Sequence, residues 1–167
     1  WFRNTVFVFV ADHVSSEKFS EEFRHSPADY RIFGFMYAPD SALFGEHRQV
    51  VSQIDIMPTL LGLMGNDEPY FAFGRDIFNE HTDVPFAINY DNNAFQAITG
   101  EHLIRFDEKS VTGVYAVDDV MHTTDLRDKV DTNGVEQQIM AMIQSYYRRV
   151  ENKDYIVNDS ISGDTTF

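Results

Sequence analysis

Asp12 and His13 stand side by side at the end of the apolar run Val6-Phe7-Val8-Phe9-Val10-Ala11. Carboxylate and imidazole are ordinary ligands of a divalent metal, and a strand that delivers both at its carboxyl end places them where open α/β sheets bind ligands. The chemistry expected of the pair is therefore that of a metal-dependent enzyme. His13 must be neutral to ligate, so protons compete with the metal in acid. Two protein ligands fall short of the three or four that zinc sites normally use. The chain alone is expected to bind metal weakly and to be inactive. His25 and His47 lie in the polar stretches flanking the pair.

The elements that must position these residues follow from hydrophobic patterning. Residues Thr5 to Ala11 are β-branched or aromatic and continuously apolar, as in a strand covered on both faces. Asp12 to Tyr30 reads as a long loop with room for one helical turn around Glu17 to Phe23. Arg31 to Ala38 reads as a second buried strand, stopped by Pro39-Asp40. Val50 to Gly65 has a helical stripe of Ile54, Met57, Leu60, Leu61 and Met64, with Asp55 as expected N-cap, Pro58 in the first turn and Gly65 as terminator. From residue 84 onward, four short runs separated by turn residues predict an antiparallel meander: Phe86–Tyr90, Ala94–Ile98, His102–Asp107 and Val111–Val117. Asn133 with Glu136 resembles a capping box, and Val135, Ile139, Met142, Ile143, Tyr146 and Val150 form one face of a helix behind it. The aromatic residues Phe86, Tyr90, Phe95, Phe106 and Tyr115 are expected to fill the core beneath that helix.

Bulk composition narrows the function classes. The 167 residues carry 27 acidic and 13 basic side chains, a net charge of −14, so nucleic-acid binding by phosphate neutralisation is not expected. A hydrophobic content of 43% with 14% aromatics indicates a folded chain. The absence of cysteine removes disulfides, thiolate metal sites and cysteine nucleophiles, and fits an extracytoplasmic location. No apolar stretch approaches a membrane span.

Three segments in order carry a family resemblance: Asn4-Thr5-Val6-Phe7-Val8-Phe9-Val10-Ala11-Asp12-His13, then Tyr37-Ala38-Pro39-Asp40, then Val50 through Gly65 with its Ser52-Gln53-Ile54-Asp55-Ile56-Met57-Pro58-Thr59 core. Together they resemble the carboxyl-terminal part of the sulfatase-like branch of the alkaline phosphatase superfamily. Pro69-Tyr70-Phe71-Ala72-Phe73-Gly74-Arg75-Asp76 adds a likeness to lipoteichoic acid synthase-like phosphoglycerol transferases. The resemblance implies the end of a parallel α/β sheet over residues 1–82, an antiparallel sheet-plus-helix subdomain over 83–157 and a frayed tail over 158–167.

It further implies that Asp12 and His13 bind a catalytic divalent metal ion, manganese first and zinc or calcium by branch. Related phosphoethanolamine transferases use an additional histidine in the loop after their Asp-His pair, which makes His25 a candidate for substrate binding, with a solvated surface histidine as the favoured alternative. The nucleophile, a threonine or serine (formylglycine in true sulfatases), lies upstream in that family, so no catalytic nucleophile is assigned here. The implied substrates are phospholipid, glycerophosphate or sulfate esters, and the implied partner is the upstream part of the same enzyme. The implied location is the cell envelope, at the periplasmic or extracytoplasmic face of the inner membrane, with any membrane attachment through other segments. Val14-Ser15-Ser16 follows the pair where many sulfatases have glycine and an acid, which weakens a true sulfatase reading; a sulfatase or phosphodiesterase of the same superfamily is the alternative among enzymes. A non-catalytic binding or structural module, with Asp12-His13 only shaping a turn, is the reading from another class.

Overall fold

In the computed structural model, residues 1–17, 19–39, 43–79 and 85–154 are described. The architecture is mixed α/β: a two-stranded ribbon, a short helix, a four-stranded antiparallel sheet and a long carboxyl-terminal helix. His81 and Asp40 lie outside the described residues.

Strands β1 (Phe7–Val10) and β2 (Gly34–Tyr37) form at the two apolar runs, but they pair antiparallel, with Phe7 opposite Tyr37 and Val10 opposite Gly34. This corrects the expectation that both belong to a parallel sheet. Parallel neighbours need a crossover connection, usually a helix. Among its described residues, the chain between these two holds only single 3-10 turns at Glu21–Arg24 and Ala28–Tyr30. A continuous apolar run does not encode strand direction, and an antiparallel strand within a mixed sheet is common. Nor are the strands covered on both faces. Phe9, Val10, Phe35 and Tyr37 are exposed, and Phe9 stacks on Phe35 at 4.5 Å between ring centroids.

The stretch 53–63 begins with a 3-10 turn, Gln53–Asp55, and continues as α1 (Ile56–Leu63). Gly65, at φ +68, ends it in a conformation that favours glycine. Asp55 is not a side-chain cap of α1, as the spacing suggested. Its carboxylate reaches back to the Ser52 amide at 2.8 Å, so Asp55 serves as the acidic partner of a capping box one turn earlier.

Strands β3 (Ala87–Asp91), β4 (Ala94–Ile98), β5 (His102–Phe106) and β6 (Val111–Ala116) follow one another as a meander. Asn92 and Asn93 both take positive φ, at 49° and 60°, which is the two-residue hairpin geometry matching strand twist. Helix α2 (Asn133–Asn152) lies across one face. Ala97, Ile104, Phe106, Val114, Val135 and Ile139 form the buried core there, with Phe86, Ile88 and Phe95 packed against it. The expected capping box at Asn133 does not form. Thr132 precedes the first turn, and the Asn133 amide donates instead to Asp131.

The opposite face of the sheet is also occupied. Gln96 and Leu103 on that face are 1% and 0% exposed. The Ser26 hydroxyl donates to the Gln96 amide oxygen, and His122 Nε2 meets the Ser26 carbonyl at 2.9 Å. Tyr115 stacks on His122 at 4.8 Å, so it belongs to this outer contact and not to the helix-side core expected for it. Tyr90 is likewise exposed, at the sheet margin against Phe95. An antiparallel sheet buried on both sides has no polar face to reveal by alternation, which is why Tyr115 was misplaced. The loop that leaves Asp12 and His13 thus ends docked on the meander.

Candidate functional site

The β1–β2 ladder has its last bond at Ala11, whose amide donates to the Phe33 carbonyl at 3.0 Å. The next two residues are Asp12 and His13, and both side chains are open to solvent, 89% and 78% exposed. His13 Nε2 lies 3.7 Å from Asp12 Oδ1. That is less than twice the roughly 2.1 Å bond of a first-row metal to nitrogen or oxygen, so one ion can touch both atoms.

His13 Nδ1 sits 2.7 Å from the Val14 carbonyl. A carbonyl only accepts, so Nδ1 carries the hydrogen and Nε2 keeps its lone pair free on the side facing Asp12. Backbone carbonyls commonly orient ligating histidines in this way. The His13 amide donates to Asp12 Oδ1 at 3.0 Å, which stiffens the turn and leaves Oδ2 unengaged there. The Ser15 hydroxyl accepts from the Glu17 amide at 3.1 Å, the turn-forming role expected of a serine after a strand. Among the described residues no group of three or more histidine, aspartate or glutamate side chains converges on a common point. The donor set fits a divalent metal in kind and supplies part of a coordination shell.

Behind the pair lies α1. Gln53 Nε2 donates to the Ala11 carbonyl at 2.9 Å and to the Asp12 carbonyl at 3.2 Å, linking positions more than 40 residues apart. Asp55, 4% exposed, accepts from the Ser52 amide with one oxygen and from the Arg75 amide with the other, the latter at 2.9 Å. The Thr59 hydroxyl donates to the Asp55 carbonyl at 2.6 Å and accepts from the Ile77 amide at 3.2 Å. Arg75 reaches the Val50 carbonyl at 3.0 Å. Gly74 lies so close beneath Ile54 and Asp55 that a Cβ would collide with the Ile54 carbonyl, which accounts for glycine in the Phe73-Gly74-Arg75 segment. Phe71 and Phe73 continue this tie to α2, where Arg149 lies 3.6 Å over the Phe71 ring and Tyr146 packs beside Phe73.

Residues 2–66 match the sulfatase family model. That span holds β1, the Asp-His pair, β2 and α1, the same segments on which the family resemblance rests. The chain is also similar in structure to a protein in the alkaline phosphatase superfamily from Vibrio parahaemolyticus, with a TM-score of 0.69 and 21% identity. The alignment covers 94% of this chain and 38% of that one, so both the ribbon and the meander have counterparts there. At that identity the likeness establishes the fold. No curated protein matches the chain.

His25 stands apart from the pair. Its carbonyl accepts from the Asp29 amide at 3.0 Å, and the residue lines an open hollow of about 720 Å³ with Arg31, Glu101, Val117 and Asp118. This hollow lies where the 25–31 segment meets the meander, and no hydrogen bond or ion pair joins His25 to Asp12 or His13 among the described residues. His47 is exposed, edge-on to Phe78. His122 secures that docking through the Ser26 carbonyl. The sequence carries no signal for that role, because its partner lies 96 positions away. No helix among the described residues is long and apolar enough to cross a membrane.

Proposed function

We propose that the chain contributes Asp12 and His13 to the metal site of a sulfatase-like enzyme that transfers a phosphoglycerol or related phospholipid head group. The observation that carries this reading is the pair itself: two exposed donors 3.7 Å apart at a strand end, with Nε2 left free by the Val14 carbonyl. A divalent cation held there, manganese first, would stabilise negative charge developing on the ester. Asp12 supplies compensating charge and His13 a neutral nitrogen. Beyond the pair, Ser26 docks on the meander through Gln96 and His122. The upstream part of the enzyme supplies the nucleophile, through which a covalent intermediate forms, and the remaining ligands.

Two observations support a larger assembly. The chain spans 38% of the structure it resembles, and the apolar side chains Phe9, Phe33 and Phe35 of the ribbon are left uncovered, a surface suited to further layers of the same enzyme. The proposed substrates are phospholipid or glycerophosphate esters at the cell envelope, on the periplasmic or extracytoplasmic face. The absence of cysteine suits an oxidising compartment. The match of residues 2–66 to the sulfatase model favours, as a second reading, sulfate-ester or phosphodiester hydrolysis at the same site.

Asp12→Ala and His13→Ala in the full-length enzyme should each strip metal, read by elemental analysis. Turnover of a phosphoglycerol lipid should fall about a hundredfold or more, because Lewis-acid stabilisation is worth several kcal/mol. Turnover of an aryl sulfate in place of the lipid selects the second reading. Unchanged metal content and turnover in both variants would leave the pair as a turn within a non-catalytic module.

A further inference from the structure

We propose that Gln53 is the positioning residue that fixes Asp12 and His13 in their ligating geometry; this rests on the reading of that pair as metal ligands. Beyond Ala11 the backbone leaves the β1–β2 ladder, and both following side chains project into solvent. Without a further tie, the two donors would be carried on a freely moving strand end. Past the Ala11–Phe33 bond that ends the ladder, Gln53 supplies hydrogen bonds from another element to this segment. A primary amide has two N–H donors, and here one nitrogen serves two successive carbonyls, so it fixes the direction of the peptide as well as its position.

The clamp is anchored at its base. Gln53 opens the 3-10 turn whose third residue, Asp55, is buried and bonded on both carboxylate oxygens to the Ser52 and Arg75 amides. Thr59 and Arg75 lock the same turn to the 74–77 segment. A rigid, buried platform thus presents one exposed amide to the carbonyls of Ala11 and Asp12. The same platform explains why Ser52-Gln53 and Phe73-Gly74-Arg75 accompany Asp12-His13 although none of them reaches the metal-facing atoms.

Outer-sphere partners of metal ligands typically change affinity by about tenfold or more when removed. Gln53→Met keeps length and neutrality and removes both donors. Manganese(II) alone, titrated into the full-length protein and followed by electron paramagnetic resonance, should bind Gln53→Met about tenfold more weakly than wild type. The imidazole nitrogen coupling of the bound ion should weaken in the variant. The melting temperature should stay within about 2 °C, because the side chain is exposed and touches no core. Equal affinity and equal nitrogen coupling would overturn the proposal, as would an affinity loss that merely tracks a large fall in melting temperature. If wild type binds no manganese through Asp12 and His13, shown by identical titrations of wild type and Asp12→Ala, the metal reading fails and the clamp role fails with it. If wild type binds and Gln53→Met matches it, the clamp role alone fails.

Discussion

Asp55 does more structural work than any other ionisable residue near the site. At 4% exposure its two oxygens hold the Ser52 and Arg75 amides, the second of which lies 20 positions away. Removing the carboxylate strands both donors in a partly buried place, and each unpaired group costs roughly 1–3 kcal/mol. Asp55→Ala should therefore lower the unfolding free energy by about 2–5 kcal/mol, measured by urea denaturation at neutral pH. A loss below about 0.5 kcal/mol would mean that water satisfies both amides, as on an ordinary surface. Asp55 also shows what kind of role a sequence displays. Its position before an apolar helical stripe marks it as a helix-start residue, and the structure keeps it at that start. The partners that determine its importance come from Gly74-Arg75, which is a tertiary approach with no local signal. Asp12 and His13 stand side by side in the sequence, so their 3.7 Å approach is a local matter, whereas Gln53 reaches Asp12 from 41 positions away with no local signal.

At the scale of elements, the meander and α2 were legible because hairpins and amphipathic helices are local. Asn92-Asn93 fixes its own turn, and the stripe through Val135 and Ile139 meets the sheet without further instruction. The direction of β2 was not legible, since it depends on what the intervening chain fails to build. The 117–130 connector joins β6 to α2, and aspartates hold it. Asp119 accepts from the Thr124 amide at 2.8 Å and from the Thr123 amide at 3.1 Å, and these bonds, in that order of weight, depress its pKa. The Arg127 amide foremost, with the Val114 amide as well, does the same for Asp125. A carboxylate with a depressed folded pKa binds protons more weakly folded than unfolded, so its stabilising effect is present above the ordinary aspartate value of about 3.9. That effect fades as pH falls through the lower folded value. The connector, with His122 on it, should loosen in acid below the ordinary aspartate range, before the sheet itself melts. Carboxyl carbon chemical shifts of Asp119 and Asp125 followed by NMR from pH 6 downward test this, as do the Thr123 and Thr124 amides. Midpoints at or above the ordinary value would refute it.

Across the whole molecule, stability should be divided unevenly. The buried apolar cluster lies in β4, β5, β6 and α2, and the sheet's second face is closed by Ser26 and His122. The ribbon, by contrast, has two strands, a row of exposed aromatics and no buried side chain of its own, and an isolated two-stranded pair is marginal in water. Among the described residues, Gln53 ties its strand end to the start of α1. Amide exchange reports the free energy of opening region by region. In the isolated chain, the amides of Ala97, Ile104 and Val114 should exchange most slowly. Those of Phe9 and Phe35, a bonded pair of the ribbon ladder, should exchange faster by about a hundredfold or more, as an opening cost lower by nearly 3 kcal/mol implies. In the larger assembly proposed above, the ribbon's exchange should slow toward that of the meander, because the further layers would cover Phe9, Phe33 and Phe35. A ribbon as protected in isolation as in the larger protein would show that nothing packs on those aromatics, and the assembly proposed around Asp12 and His13 would lose its main structural support.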